Sequence, residues 1–485
     1  MDKTVKTSLK LNFVMNMILT MSQFIFPLIT FPYVSRIVLP VGTGKVSFAT
    51  SFISYFSIFA QLGIPTYGVR VCAKVRDNRE ELTRSAHELL FINLITCAIS
   101  YMLLFLALIF LPRLREERML YFIVSFTIIL TSIGMEWLYK AMEQYTYITI
   151  RSIIFKFIAL IAMFLLIHGY DDYVIYGGIS ILAGLASNIF NLLNVHRYID
   201  LKPVGNYNIR RHLKPIGVFF AMSCATTIYT QLDTVMLGFM ATDEDVGYYN
   251  AAVRIKTILV SIVTSLGTVL LPRASYYIEH GMMDEFRRIS KKALNFVFLI
   301  ASPMMLYFIL FAKQGIYFLS GSAYTGSIIP MQIIMPTLLF IGITNILGIQ
   351  IFVPMGKEKV VLISVIAGAV VDVIINAFLI PRFTSSGAAI GTLVAEFVVF
   401  IVQFVSLRSV MLEAFKQIHY VKIVIAMALG TVCSLWVASL NIGHFLILIT
   451  SACLFFGVYS LFLVITKEPL AIEILNQILG KLSKK

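Results

Sequence analysis

Residues 13–39 read FVMNMILTMSQFIFPLITFPYVSRIVL, with no charged side chain before Arg36. As a helix rising 1.5 Å per residue this run is about 40 Å long, more than the roughly 30 Å hydrocarbon core of a bilayer. Lys3, Lys6 and Lys10 precede it, as basic residues precede a secretory signal. The apolar run is too long for a signal-peptide core, and no small-residue cleavage site follows it. It reads as a first membrane span.

Working outward, the same kind of run recurs along all 485 residues. Apolar residues make up 59% of the chain and charged residues 13%, with a mean hydropathy of +0.88. Water-soluble domains carry about a quarter charged residues, so this chain lacks the polar surface to stay in water. The expected spans are 13–39, 43–68, 86–111, 119–140, 147–168, 174–198, 215–240, 247–272, 291–318, 328–354, 359–380, 386–411, 419–440 and 443–466. The fold class is therefore an all-α integral membrane protein with about fourteen transmembrane helices.

An even count puts both ends of the chain on one side. Loops on that side hold Arg70, Lys74, Arg76, Arg79 and Arg84, then Arg197, Lys202, Arg210, Arg211 and Lys214, then Arg273, Arg287, Arg288, Lys291 and Lys292. Lys481, Lys484 and Lys485 follow in the tail. The opposite loops are short, and two are acidic, Asp171-Asp172 and Asp243-Glu244-Asp245. Arg113, Arg115 and Arg118 form the one basic exception, diluted by Glu116 and Glu117. Positive residues stay cytoplasmic, so the net charge of +14 reads as a topology signal and not as nucleic-acid binding.

Motifs echo about 200 residues apart. Val46-Ser47-Phe48-Ala49-Thr50 opens span two, and Val246-Gly247-Tyr248-Tyr249-Asn250 opens span eight. Leu62-Gly63 and Leu266-Gly267 close the same two spans, and Tyr176-Gly177-Gly178-Ile179 of span six answers Ser386-Gly387-Ala388-Ala389 of span twelve. A same-direction repeat makes two six-helix lobes related by an axis along the membrane normal. The expected domains are an N-lobe (1–198), a basic linker on the cytoplasmic surface (199–214), a C-lobe (215–411), and two appended helices with a tail (412–485).

No enzyme constellation is present. The sequence has no Walker A loop, no GxSxG motif with triad partners, no HExxH, and no paired motif among its five cysteines. No cofactor is expected. The informative residues are ionisable groups inside spans, because a charge at mid-bilayer costs about 2.5–3.5 kcal/mol and usually faces water or a partner. Lys156 lies mid-span five, and Arg254 and Lys256 in the outer part of span eight. Asp233 is in span seven, Asp372 in span eleven and Glu396 in span twelve, while Arg36 lies near the outer end of span one and Glu136 near the inner end of span four. Asp233 and Arg254 both fall roughly 10 Å deep, so a buried ion pair competes with a cavity role for each. Lys256 lies about 200° round the helix from Arg254. Arg36 can snorkel to the outer interface, and Asp372 and Glu396 can either bond neighbouring helices or handle a cation. Pro27, Pro32, Pro65 and Pro336 permit bends.

Four stretches resemble the Wzx-type (RfbX-like) O-antigen and capsular polysaccharide flippases of the multidrug/oligosaccharidyl-lipid/polysaccharide exporter superfamily. They are Phe31-Pro32-Tyr33-Val34-Ser35-Arg36; Gly134-Met135-Glu136-Trp137-Leu138-Tyr139-Lys140-Ala141-Met142-Glu143-Gln144-Tyr145; Gln231-Leu232-Asp233-Thr234-Val235-Met236-Leu237-Gly238; and Val246-Gly247-Tyr248-Tyr249-Asn250-Ala251-Ala252. Leu39-Pro40 departs from the Leu-Gly turn usual in that family. The resemblance implies two six-helix lobes around a basic cavity that carries an undecaprenyl-pyrophosphate-linked oligosaccharide across a bacterial inner membrane. It makes Arg36, Lys156, Arg254 and Lys256 candidates for the pyrophosphate and sugar, and Asp233, Asp372 and Glu396 candidates for cation coupling or for tuning those bases. The implied partners are the lipid-linked oligosaccharide, membrane lipids, a proton or sodium counter-ion, and polysaccharide polymerase or assembly proteins. Multidrug/cation antiport and peptidoglycan-precursor flipping are the alternatives within the superfamily. A membrane glycosyltransferase would need a large outer loop or an acidic catalytic cluster.

Overall fold

The computed structural model describes residues 9–408, 415–416 and 418–482. Lys3, Lys6, Lys484, Lys485 and the end of the span expected at 386–411 lie outside the described residues. Every regular element among the described residues is a helix. Nine helices there are long and apolar enough to cross a membrane, or ten if the pair Ser322–Ile334 and Thr337–Phe352, bent by 48°, counts as one span. The spans expected at 215–240 and 247–272 fall in Arg210–Met240 and Asp243–Glu279, which are long enough but less apolar and are not among the nine. Ser223, Thr226, Thr227, Thr230, Gln231 and Asp233 account for much of that polarity in the first of them.

Two helical runs hold two expected spans each. Leu9–Gln61 has 53 residues and leaves helical geometry at Leu39, with φ 61. Glu358–Ser406 has 49 residues and does so at Thr384, with φ 45. Either run, drawn straight, would exceed 70 Å, over twice the thickness of the apolar core. The second visibly folds back. Gln403 Nε2 donates to Ser364 Oγ at 3.0 Å, Gly391 packs on Asn376, and Gly387 packs on the Leu379 carbonyl. Residues equally far from Thr384 are neighbours, which defines an antiparallel helical hairpin.

The chain divides into two compact units, Met1–Gly247 and Tyr248–Lys485. In the first, contact registers give helix directions. Met15, Ser22 and Tyr33 bond Thr149, Lys156 and Ile167, always 134 residues on, so spans one and five are parallel. Thr96 and Ser100 donate to the carbonyls of Ala60 and Phe56, so spans two and three are antiparallel. Asn188 and Asn191 of span six donate to Leu130 and Gly134 of span four in a parallel register.

The loops sort to two ends accordingly. At one end Lys45 meets Glu117 at 2.5 Å, Tyr173 donates to Glu117 at 2.7 Å, and Arg113 pairs with Asp243. The basic exception in the sequence thus has its acidic partner on the same side. Burial pushes the Asp243 carboxyl above its ordinary range, against the pull of Arg113 and Lys45. At the other end Arg76 meets Glu143 at 2.7 Å and Arg79 meets Asp200 at 2.9 Å. The third span starts there because Asn78 caps it, accepting from Glu81 N at 3.1 Å, with Glu80 and Glu81 in its first turn.

In the second unit Gly342 packs on Val263 and Val297, joining spans eight, nine and ten. The last two long helices, Tyr420–Leu435 and His444–Ile465, form a pair closed by Gly430 against Phe455. This pair docks on span nine, where Tyr307 donates to the Leu448 carbonyl at 2.8 Å and Tyr459 to the Leu299 carbonyl at 2.9 Å.

Candidate functional site

Lys156 is the clearest of the expected cations. It is 9% exposed, and its ammonium donates to Ser22 Oγ at 2.7 Å. It sits on an otherwise apolar groove of about 310 Å³ between spans one and five, lined by Ile18, Met21, Ile25, Phe26, Ile29 and Phe157 among others. Ser22 supplies one acceptor for three N–H donors. A lysine so placed mid-span offers its remaining donors to whatever enters the groove.

The other expected residues are spread over both units. Arg36 is exposed and also donates to the Pro32 carbonyl of its own helix. Asp233 is 6% exposed in the first unit. Arg254 and Lys256 are half-buried in the second. There the hairpin brings two acids together. Asp372 is 1% exposed and accepts from Asn376 Nδ2 at 3.1 Å, opposite Gly391. The register places Glu396, also buried, within a turn of Asp372.

Buried charges at the margins of apolar runs, Glu88 and Arg151 among them, do not stand out in the sequence. Glu88 lies two residues into span three, and its side chain is fully buried. It accepts from Asn208 N at 2.6 Å and from Arg211 at 2.6 Å, and lies 2.6 Å from His212 Nε2. His212 Nδ1 is 2.9 Å from the Tyr67 hydroxyl. One carboxylate thus ties the linker and the start of span seven to spans two and three. Arg151, four residues into span five, is 7% exposed, 3.3 Å from Asn188 Oδ1 and 3.8 Å from Glu136. Each stood where a charge is normally assigned to the interface, although both carried the same signal as Lys156.

Comparisons with known proteins bear on this arrangement. The family described as "Polysaccharide biosynthesis protein" matches residues 9–278, and the one described as "MatE" matches residues 219–378. A protein of Escherichia coli (strain K12) named "Putative O-antigen transporter" is 25% identical over 395 residues, 81% of this chain and 95% of its own length. A protein of the same name from Shigella dysenteriae is 23% identical over 379 residues, 77% of this chain and 94% of its own. Among solved structures, "Lipid II flippase MurJ, inward closed conformation" superposes with a TM-score of 0.65 at 15% identity, over 95% of this chain and 99% of that one. An inward-facing multidrug resistance MATE family transporter of the MOP superfamily gives 0.59 at 16% identity, over 84% and 99%. One family describes this helical, multi-pass membrane chain over more than half its length, so the chain belongs to the family described as "Polysaccharide biosynthesis protein" and has the fold of the MOP-superfamily transporters.

Proposed function

We propose that the protein is a flippase. It carries an undecaprenyl-pyrophosphate-linked oligosaccharide from the inner to the outer leaflet of a bacterial cytoplasmic membrane by alternating access, with its basic loops and both termini cytoplasmic. The observation that carries this reading is Lys156: a cation held mid-span on an apolar groove, in a chain whose relatives over most of its length are named for O-antigen transport. A diphosphate crossing a low-dielectric core needs fixed cations, and charge-assisted hydrogen bonds hold it without covalent chemistry. Lys156, Arg36, Arg254 and Lys256 supply those cations. Asp233, Asp372 and Glu396 take up the exchanged proton or sodium ion or tune those bases. The chain acts as a carrier and not as an enzyme. It is driven by an ion gradient or the membrane potential, and it hands its cargo to polymerase and assembly proteins.

The test is deletion of the gene followed by analysis of lipid-linked intermediates. Repeat units stranded on the cytoplasmic leaflet are expected; unchanged polymer at normal yield would contradict the reading. A multidrug antiporter would instead leave the polymer intact and raise drug sensitivity.

A further inference from the structure

Arg151 poses a problem that the groove at Lys156 does not. Its Nε and Nη1 atoms are buried and bond no protein group among the described residues. Only Nη2 is engaged, at 3.3 Å from Asn188 Oδ1 and 3.8 Å from Glu136 Oε2. The Tyr147 ring lies 5.7 Å from the guanidinium carbon. Glu136 is a weak counter-ion for it, because Lys140 holds that carboxylate at 2.7 Å. A buried donor without an acceptor costs about 1–3 kcal/mol, and more for a charged group, so two on one guanidinium call for a reason.

The surrounding backbone is irregular in the way ligand sites in membrane carriers are. Span four breaks at Gly134–Met135, where Met135 takes φ 43. Span six turns into a π-helix over Leu182–Ala186, which ends one residue short of Asn188. Gly134 lets the two spans close, since a Cβ there would lie 2.6 Å from the Asn188 side chain. Broken helices and π-turns concentrate at functional sites, and in carriers they frame the bound ion. The side bearing Glu136 and Lys140 opens to solvent, with those side chains 35% and 39% exposed.

We propose that Arg151 is an anion site that takes a phosphoester oxyanion through Nε and Nη1, with the Glu136 carboxylate yielding its place and Lys140 adding a second cation. The site lies on the face of span five turned to spans four and six, apart from the Lys156 groove against span one. It goes beyond the flippase reading and shares with it only the chemistry of phosphate. Arginine suits the task, since its planar fork matches two oxyanion oxygens where lysine offers a point charge.

The experiment is titration calorimetry on the full-length protein in detergent, with inorganic pyrophosphate and farnesyl diphosphate as separate probes. Binding of either supports the site, and a preference between them tells free anion from lipid headgroup. Arg151→Gln is expected to weaken binding at least tenfold and Arg151→Lys by less. Glu136→Gln is expected to tighten it several-fold, which a purely structural ion pair would not do. If Arg151→Gln fails to fold, the Lys and Glu136→Gln variants carry the test. Binding of neither probe by the unaltered protein, or affinities unchanged in the variants, would overturn the proposal. Loss of flipping evidence in cells with this binding intact would instead count against the flippase reading alone.

Discussion

The two units close their helices on polar groups of different kinds. In the first, charged groups join the neutral contacts between spans: Glu88 with Arg211 and His212, Arg151 with Asn188 and Glu136, Lys156 with Ser22. In the second they are mostly neutral: Tyr249 with Thr392 at 2.8 Å, Gln403 with Ser364 at 3.0 Å, Tyr307 with Ser451 at 2.9 Å. The exceptions there among the described residues include the acids Asp372, Glu396 and Glu468. Neutral hydrogen bonds fix helices with little dependence on pH or ligand. Buried charges are costly unless a partner answers them, so they are where a carrier can exchange partners. The buried bases Arg151 and Lys156 lie in the first unit, and the neighbouring acids Asp372 and Glu396 in the second.

Removing a charged clasp should therefore cost more than removing a neutral one. Glu88→Ala removes at once the acceptor shared by Arg211, His212 and the Asn208 N–H. It is expected to lower stability by about 3 kcal/mol, discounted because Arg211 is partly exposed, whereas Gln403→Ala costs about 1 kcal/mol. Thermal unfolding in detergent compares the two, and equal losses would break the contrast.

Close packing gives the next largest difference. A Cβ on Gly391 would lie 2.1 Å from Asn376 Oδ1, while one on Gly184 in the first unit meets nothing within 4 Å. Gly391→Ala is expected to cost about 2 kcal/mol and Gly184→Ala less than about 0.5 kcal/mol. The same melting assay decides.

Arg113→Gln sharpens the account of the charged unit through pH. Asp243 is raised by burial even with Arg113 beside it. A carboxyl raised in the folded state destabilises that state increasingly as pH climbs through the folded value. The variant's deficit, about 1–2 kcal/mol after discount for exposure, should be largest at neutral pH and above and should shrink toward about pH 4. A deficit independent of pH would remove Asp243 from the explanation.

The smallest effect is on a turn. Leu39 holds φ 61, a left-handed geometry that suits glycine, so Leu39→Gly is expected to gain about 1 kcal/mol. An unchanged or lower melting temperature would mean that its side chain contributes more than the strain costs.

How much of this was legible in the sequence follows from what each signal measures. Hydropathy located the long apolar helices, because burying twenty apolar residues outweighs local detail. Loop charge sorted the ends, and the misfit at Arg113 arose only because its partner Asp243 is about 130 residues away. Hydropathy is weakest for Arg210–Met240, whose hydroxyls dilute the apolar signal. Lys156 could be read because it stands mid-run. Arg151 and Glu88 could not, because within a few residues of a span's edge a charge looks interfacial until its neighbours are known. The turn at Leu39-Pro40 gave no glycine to mark it. The hairpin register that sets Glu396 beside Asp372 depends on packing between Gly391 and Asn376, which no local pattern records.

The most direct test of the central claim is a flipping assay. The purified protein is reconstituted in vesicles with a fluorescent lipid-linked oligosaccharide, and the fraction accessible to a membrane-impermeant quencher is followed over time. The unaltered protein should equilibrate the leaflets, and Lys156→Gln, at equal incorporation, should slow that at least tenfold while Lys156→Arg retains much of it. Full-speed flipping by Lys156→Gln would contradict the claim that this intramembrane cation carries the diphosphate.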